Sequence, residues 1–436
     1  MKKIFWMFWL AITVTIAGYY LYTMIYAENK ESMLIGETTH GHYQIELACD
    51  TCHSTAFGGT EVLHNACVSC HQEELDAAND SHPRKKFNDP RNVDLLKTID
   101  ARYCTTCHQE HVNHVNVQMG VTLPTDYCYY CHQDIAEHRP SHEGLEYDSC
   151  ASAGCHNFHD NRALYERFLV ENSGGPWVKS HAHIPLANYA ASDSSWRDPI
   201  LSSEFIAHQE AHPNITNAVA LSAHGEAGMS CGHCHQTEQG DWLDSPSIES
   251  CAQCHQNEVH SYQQGKHGMR LAQQLPGLET QNARLPMRSE SAAQPHSCVS
   301  CHRAHEFDRQ FARQDACLQC HSDTHSLNFK NSPHAQINSS TGEKNHEDMN
   351  VACATCHLPR LPVTKNGEQL WQVQHNQNDN LRPNEKMIRT VCMHCHSLEF
   401  SIDALADPEL INNNFHGKPS QHIPSIDWAL QREFQN

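Results

Sequence analysis

Apolar residues form one long uninterrupted run near the start of the chain. Residues 4–27, a run of 24, carry no charged side chain. A helix of this length rises about 36 Å, which is enough to cross a bilayer. Lys2 and Lys3 precede the run, which favours an N-terminus in the cytoplasm. The pattern predicts an uncleaved transmembrane helix within residues 1–27. The alternative is a cleaved signal peptide, whose apolar region is shorter.

Two later segments have the apolar spacing of short helices. The first is predicted at 160–172, capped by Asp160 or Asn161 and ended by Gly174 or Gly175. Its apolar face is formed by Leu164, Tyr165, Phe168 and Leu169. The second is predicted at 304–316, where Phe307 and Phe311 are four residues apart.

The exported part is too polar to form an ordinary apolar core. The hydrophobic fraction is 39% and the mean hydropathy is −0.63. Without a cofactor, such a composition favours disorder. The chain therefore needs apolar bulk from another source.

Cysteine and histidine supply the candidate chemistry. The chain has 22 cysteines and 37 histidines, and ten Cys-x-x-Cys-His units can be read directly. About 0.1 are expected from composition alone. The units end at His53, His71, His108, His132, His235, His255, His302, His321, His357 and His396.

This unit is typical of covalent attachment of a c-type haem, in which both thiols bind the ring and the histidine becomes the proximal iron ligand. Disulfides would not place a histidine after every second cysteine. Zinc ribbons need two cysteine pairs per metal. A thioredoxin-type pair would occur once. The ten units contain Cys49, Cys52, Cys67, Cys70, Cys104, Cys107, Cys128, Cys131, Cys231, Cys234, Cys251, Cys254, Cys298, Cys301, Cys317, Cys320, Cys353, Cys356, Cys392 and Cys395.

The two remaining cysteines form a variant of the same unit. Cys150 and Cys155 are separated by four residues, and His156 follows at once. This longer spacer resembles a recurrent variant in the class III cytochromes c3. The resemblance implies an eleventh haem c, with His156 as its proximal ligand.

Eleven haems would supply the missing core. The 409 residues after the apolar run leave about 37 per haem, which predicts a mainly α fold with extensive loops and almost no β-sheet. Residues 157–230 contain no unit, and the stretch 172–180 reads as a joint. We therefore predict an anchor at 1–27, a pentahaem c3-like domain at 28–175 and a hexahaem domain at 176–436.

The surplus of histidines suggests histidine as the sixth ligand. Excluding the proximal residues, His233 and His394, 24 histidines remain for eleven positions, and none of the eleven methionines has a telling position. The distal candidates are His42, His82, His111, His142, His159, His183, His224, His267, His305, His334 and His375, with His325 and His416 in addition.

Three candidates share one offset from a proximal histidine. His111, His159 and His305 each follow by three residues, and His325 follows His321 by four. On a helical turn the two imidazoles would lie on nearby faces, so they cannot bind one iron from the same side. We expect each to ligate a neighbouring haem.

The C-terminal half has a second resemblance. CVSCHRAHEF (298–307), VACATCHLPR (351–360) and VCMHCHSLEF (391–400) resemble the C-terminal part of the hydroxylamine oxidoreductase family of octahaem cytochromes. The likeness covers roughly 220–400 and implies a helical, haem-packed body. No tyrosine follows Tyr262, so the tyrosine crosslink of that family's oxidising members has no counterpart.

Two functions follow as hypotheses. The first is an inner-membrane-anchored periplasmic electron carrier in a respiratory chain, with redox proteins as partners and a membrane quinol or a quinol dehydrogenase as donor. The second is a reductase of nitrite, hydroxylamine, sulfite or tetrathionate at one five-coordinate haem. The net charge of −21 argues against a nucleic-acid partner. We assign no catalytic residue.

Overall fold

The computed structural model describes most of the chain. The described residues are 2–27, 30–55, 58–112, 120–150, 157–160, 166–180, 183–185, 198–275, 283–291, 296–340, 351–365, 367–381 and 384–433. They are mainly helical, with extensive loops and one two-stranded sheet. The predicted fold class is confirmed.

Most helices are only one or two turns long. The α-helices are α1 Lys2–Tyr26, α2 Cys49–Cys52, α3 Thr60–Ala78, α4 Arg84–Phe87, α5 Val93–Thr98, α6 Tyr129–His132, α7 Ile135–His138, α8 Glu166–Glu171, α9 Ser203–Ala211, α10 Pro213–Ala220, α11 Ala223–Glu226, α12 Cys231–His235, α13 Ile248–Ala252, α14 Gln256–Gln264, α15 Met269–Ala272, α16 Cys298–His302, α17 Arg309–Arg313, α18 Asp315–Cys320, α19 Thr324–Asn328, α20 Pro333–Ser340, α21 Cys353–His357, α22 Asn378–Leu381, α23 Met387–Thr390, α24 Leu398–Ala406, α25 Pro408–Asn412 and α26 Ser425–Glu433. Single 3-10 turns lie at Glu31–Met33, Tyr43–Ile45, Pro90–Asn92, Cys104–Thr106, Pro140–His142, Tyr147–Ser149, Ser289–Ser291, Phe329–Asn331, Asn384–Lys386 and Cys392–His394.

Helix α1 is the longest element and is long and apolar enough to cross a membrane. The hydroxyls of Thr13, Thr15 and Thr23 donate to carbonyls four residues earlier. These bonds satisfy the polar side chains within the helix, as an apolar solvent requires. A signal sequence and an anchor both fit these features.

The attachment units fold into single turns. In His53, His132 and His255 the backbone N–H donates to the carbonyl of the unit's first cysteine, at 2.8, 3.0 and 2.9 Å. Residues three apart on a turn share one face, so both cysteines of a unit point to the same side. The histidine follows directly at the end of that turn.

Three of these turns are capped from within the unit. The backbone N–H before the unit donates to a side chain three residues on: Ser230 to His233 at 2.9 Å, Ser297 to Ser300 at 3.0 Å and Ala352 to Thr355 at 3.0 Å. Such bonds satisfy an otherwise orphan donor at the helix start. His233 therefore serves as a cap through its Nδ1 atom.

The predicted helix at 304–316 is wrong as a single element. Arg303, His305 and Phe307 have φ values of 52°, 70° and 49°, which no right-handed helix accommodates. Helix α17 begins only after Asp308, whose carboxylate accepts from the backbone N–H groups of Gln310 and Phe311. It ends at Arg313, and α18 begins at Asp315.

The predicted helix at 160–172 is present in part. Asp160 is not helical, 161–165 lie outside the described residues, and α8 covers Glu166–Glu171. The chain turns at Gly174 and Gly175, whose φ values are 76° and 98°.

A β-hairpin links two attachment regions. Strand β1 (Arg360–Lys365) pairs antiparallel with β2 (Glu368–Val373), and Arg360 lies opposite Val373. Gly367 in the turn has a φ of 82°. The hairpin reverses the direction of the chain after the attachment unit that ends at His357, and His375 lies two residues after the end of β2.

The chain divides into two compact units. Unit 1 comprises 1–71 and 84–124, and unit 2 comprises 72–83 and 125–436. The apolar core cluster of unit 2 joins α8 to the C-terminal helices and consists of Leu169, Met387, Ile388, Leu398, Ile402, Leu405, Ile426 and Ala429. The boundary predicted near residue 176 stays a prediction.

Candidate functional site

Eight proximal histidines each face a second histidine across a narrow gap. The ring centres lie 5.8–6.4 Å apart in every pair. The pairs are His71 with His42, His132 with His82, His235 with His305, His255 with His224, His302 with His375, His321 with His267, His357 with His325, and His396 with His334.

This spacing fits an iron held between two imidazoles. Metal–imidazole bonds are about 2.0 Å long, so two rings on opposite sides of one metal have centres about 6 Å apart. Direct stacking would bring the rings closer, as with His208 and Trp242 at 4.1 Å. Because each pair joins a proximal histidine to another histidine, the residues present fit a haem with two histidine ligands.

Burial keeps several of these imidazoles neutral. It lowers the pKa of His267 to about 3 and the pKa values of His302, His334 and His357 to about 4. Neutral imidazole has the free lone pair that a metal requires. These four rings are therefore in the ligating form at pH 7.

Hydrogen bonds at Nδ1 orient the rings of five paired histidines. The Nδ1 atoms of His235, His375 and His396 donate to the carbonyls of Leu243, Val373 and Trp177, at 2.7, 3.1 and 2.8 Å. Those of His82 and His325 donate to Phe158 and Ile411, both at 2.5 Å. Ligating histidines commonly make such bonds, which fix the tautomer with Nε2 directed at the metal.

Two distal candidates instead contact a carboxylate. His42 Nδ1 lies 2.6 Å from Glu110 Oε1, and His159 Nδ1 lies 3.1 Å from Asp80 Oδ1. Although burial acts to raise it, hydrogen bonds from His42 and Thr39 hold the pKa of Glu110 at about 2. Glu110 is therefore ionised at neutral pH. Sequence reasoning missed both carboxylates, because only the fold brings them to these rings.

Two histidines at the three-residue offset have a backbone conformation that differs from the predicted helical turn. His111 and His305 have φ values of 59° and 70°, so neither lies on a helical turn. His305 nevertheless faces His235 and not its own neighbour His302. His325, at the four-residue offset, likewise faces His357. His111 Nδ1 donates to the carbonyl of Gly36 at 2.9 Å.

Three other predicted distal ligands, His142, His183 and His416, differ in their surroundings. Burial, and then Arg432, lower the pKa of His142. The backbone N–H of His183 donates to the carbonyl of His394 at 3.2 Å, and His416 is exposed. The ring centre of His296, which was not predicted as a ligand, lies 5.8 Å from that of His267. His267 therefore faces both His296 and His321. His156 and Cys155 lie outside the described residues.

Cysteines of consecutive attachment units lie side by side. The thiols hydrogen-bond in the pairs Cys67 with Cys104, Cys128 with Cys150, Cys251 with Cys298, and Cys317 with Cys353. Each pair joins the first cysteine of one unit to the first cysteine of the next. Cys150 obeys this relation, as a member of an attachment unit would.

The second cysteines of three other attachment units lie near cysteines of the unit that follows in the chain. Burial, and then the nearby Cys317 and Cys320, raise the pKa of Cys301 to about 11. Burial and then Cys395 do the same for Cys356. Burial and then Cys251 raise the pKa of Cys234. The six attachment units between 231 and 396 thus form an unbroken series of neighbours in chain order.

Comparison with known families adds an independent finding. Residues 41–133 and 223–322 match the model of the cytochrome c3 family. These two regions are cytochrome c3 domains. The first contains the units ending at His53, His71, His108 and His132, and the second those ending at His235, His255, His302 and His321. No curated protein matches the chain significantly.

The cytochrome c3 domains agree with the sequence resemblance in the N-terminal half and extend it. Multihaem c-type cytochromes of the c3 type are electron carriers, and their covalent haems account for the cysteine pairs in both regions. The second domain lies where the sequence resembled the hydroxylamine oxidoreductase family. No comparison supports that resemblance, which stays an expectation.

Proposed function

We propose that the chain is a membrane-anchored periplasmic cytochrome that carries eleven haems and passes electrons from a donor at the membrane to a periplasmic acceptor. The observation that carries the proposal is the set of eight histidine pairs at 5.8–6.4 Å. Bound haem supplies a one-electron couple at each site. The chain needs to hold both axial positions and to keep the sites close together.

Two sets of side chains support both roles. If each histidine pair holds one haem iron, its two imidazoles would leave no position for a substrate, which favours electron transfer over catalysis at those sites. The adjacent cysteines would attach successive haems at neighbouring points of the chain. In the six units of the C-terminal half, this adjacency supports an electron path that follows chain order, from the unit of His235 to the unit of His396.

The donor side of the path is expected in unit 1. Helix α1 and the attachment units that end at His53, His71 and His108 all lie in compact unit 1. A membrane quinol or a quinol dehydrogenase is the donor that this arrangement suits, with soluble redox proteins as acceptors. The likeness of 220–400 to octahaem cytochromes is compatible with the same role and adds no substrate.

The purified protein should carry eleven covalent haems and show only low-spin ferric signals. Its mass after denaturation should exceed that of the apoprotein by eleven haem masses. Electron paramagnetic resonance of the oxidised protein should lack a high-spin ferric signal, because two imidazoles give a strong ligand field. A gain of only ten haem masses would show that no haem is attached at Cys150 and Cys155. As a matched control, a variant with both cysteines replaced by Ala should carry one haem fewer than the intact protein. A strong high-spin signal in the intact protein would favour the reductase hypothesis.

The full-length protein should remain with the membrane fraction after export. Helix α1 is apolar over its length, and two lysines precede its apolar run. Alkaline carbonate washing should leave the haem stain in the pellet, whereas a variant beginning at residue 30 behind a cleavable signal should be found in the soluble periplasmic fraction. A mature N-terminus near residue 28 would contradict the anchor.

A further inference from the structure

His42 differs from five other paired histidines in the group that its Nδ1 atom contacts. Five paired histidines donate to a backbone carbonyl, which is neutral: His82, His235, His325, His375 and His396. His42, which faces His71 at 5.8 Å, instead contacts the Glu110 carboxylate at 2.6 Å. Among the ring pairs of the described residues, this is the one in which a distal Nδ1 lies within 3 Å of a carboxylate.

Glu110 is itself held in place. Its Oε2 accepts from the backbone N–H of Thr39 at 2.5 Å, and its Oε1 accepts from the Thr39 hydroxyl at 2.8 Å. The side chains of His42 and Glu110 are 35% and 28% exposed, so water screens their contact only in part. The carboxylate is therefore a fixed partner of the ring.

The position of Glu110 in its segment has a parallel elsewhere. Glu110 lies two residues after the proximal His108, and Phe158 lies two residues after the proximal His156. The carbonyl of Phe158 accepts from Nδ1 of His82, just as the side chain of Glu110 contacts Nδ1 of His42. In both segments this position supports the distal histidine of a different haem. Only at Glu110 does the support carry a charge.

The charge has a definite chemical effect. A carboxylate that accepts the Nδ1 proton raises the basicity of the whole imidazole, and so of the nitrogen that binds the metal. A more basic axial ligand stabilises ferric over ferrous iron and lowers the reduction potential. A neutral carbonyl acceptor raises the basicity of the imidazole less, and so lowers the reduction potential less.

We propose that Glu110 is a positioning residue that fixes the orientation of His42 and lowers the reduction potential of the haem held by His42 and His71, relative to the carbonyl-supported haem of His82 and His132. The proposal rests on the proposed function, because it requires that these histidines ligate haem. It gives the chain a low-potential site in the unit that contains α1.

The test is a spectroscopic redox titration of the intact protein and the variant Glu110→Gln. Glutamine keeps the size of the side chain and removes its charge. One component of the titration should shift to higher potential, by about tenfold in its reduction equilibrium constant or about 59 mV for one electron. The haem number and the low-spin state should not change. Glu110→Asp, which keeps the charge on a shorter side chain, should give a smaller shift.

Two controls make the result decisive. Asp94→Asn removes one negative charge from an exposed pair with Lys97 in the same unit and should leave every component unmoved. His42→Ala should convert one haem to high spin, and that haem should be the component that Glu110→Gln moves. If His42→Ala gives high-spin haem but Glu110→Gln shifts nothing, Glu110 does not tune it. If His42→Ala remains wholly low-spin, the ligand assignment in the proposed function is wrong instead.

Discussion

Expressed without haem attachment, the chain should be unfolded and readily digested by protease. The described residues of unit 1 contain only two buried hydrophobic side chains, Ala48 and Phe87. Burying a large apolar side chain contributes about 1.5–3 kcal/mol, whereas ordering the backbone costs about 1–2 kcal/mol per residue. Two side chains cannot offset the ordering of a whole unit.

The measurement is circular dichroism and limited proteolysis of the apoprotein beside the haem-loaded protein. Unit 1 should show no cooperative thermal transition. Any segment of the apoprotein that still resists protease should lie in the cluster around Leu169, Ile388 and Leu398, where buried side chains pack together. A cooperative transition covering both units would show that the side chains suffice without the cofactor.

The second large effect is expected from His305→Ala. The ring of His305 lies 5.9 Å from that of His235, with the two planes at 18°. Its removal should open one axial position, giving one high-spin ferric haem that binds carbon monoxide when reduced. All eleven haems should stay attached, because the thioether bonds do not involve His305. Optical, resonance and mass measurements together check these outcomes.

The control for this variant is His260→Ala. His260 is 60% exposed, and its Nε2 atom contacts Gln264 and Glu73, so the change should leave the protein wholly low-spin. A wholly low-spin His305→Ala protein would exclude His305 as a ligand. The same experiment with His159→Ala tests the three-residue offset after His156.

Local features of the protein could be read from the sequence because they depend on neighbours in the chain. The turn that places Cys49 and Cys52 on one side, with His53 at its end, needs only a helical backbone over five residues. The apolar run after Lys3 forms helix α1 for the same reason. The scarcity of sheet followed from the short spacing between units.

The tertiary structure alone decided which groups meet. His375 faces His302 because the hairpin of β1 and β2 returns the chain, and no periodicity links these residues. His305 reaches His235 through left-handed backbone, where the spacing predicted a helix. The contact of Glu110 with His42 spans 68 positions. Such contacts depend on packing between distant segments, and a sequence pattern of a few residues contains no information about them.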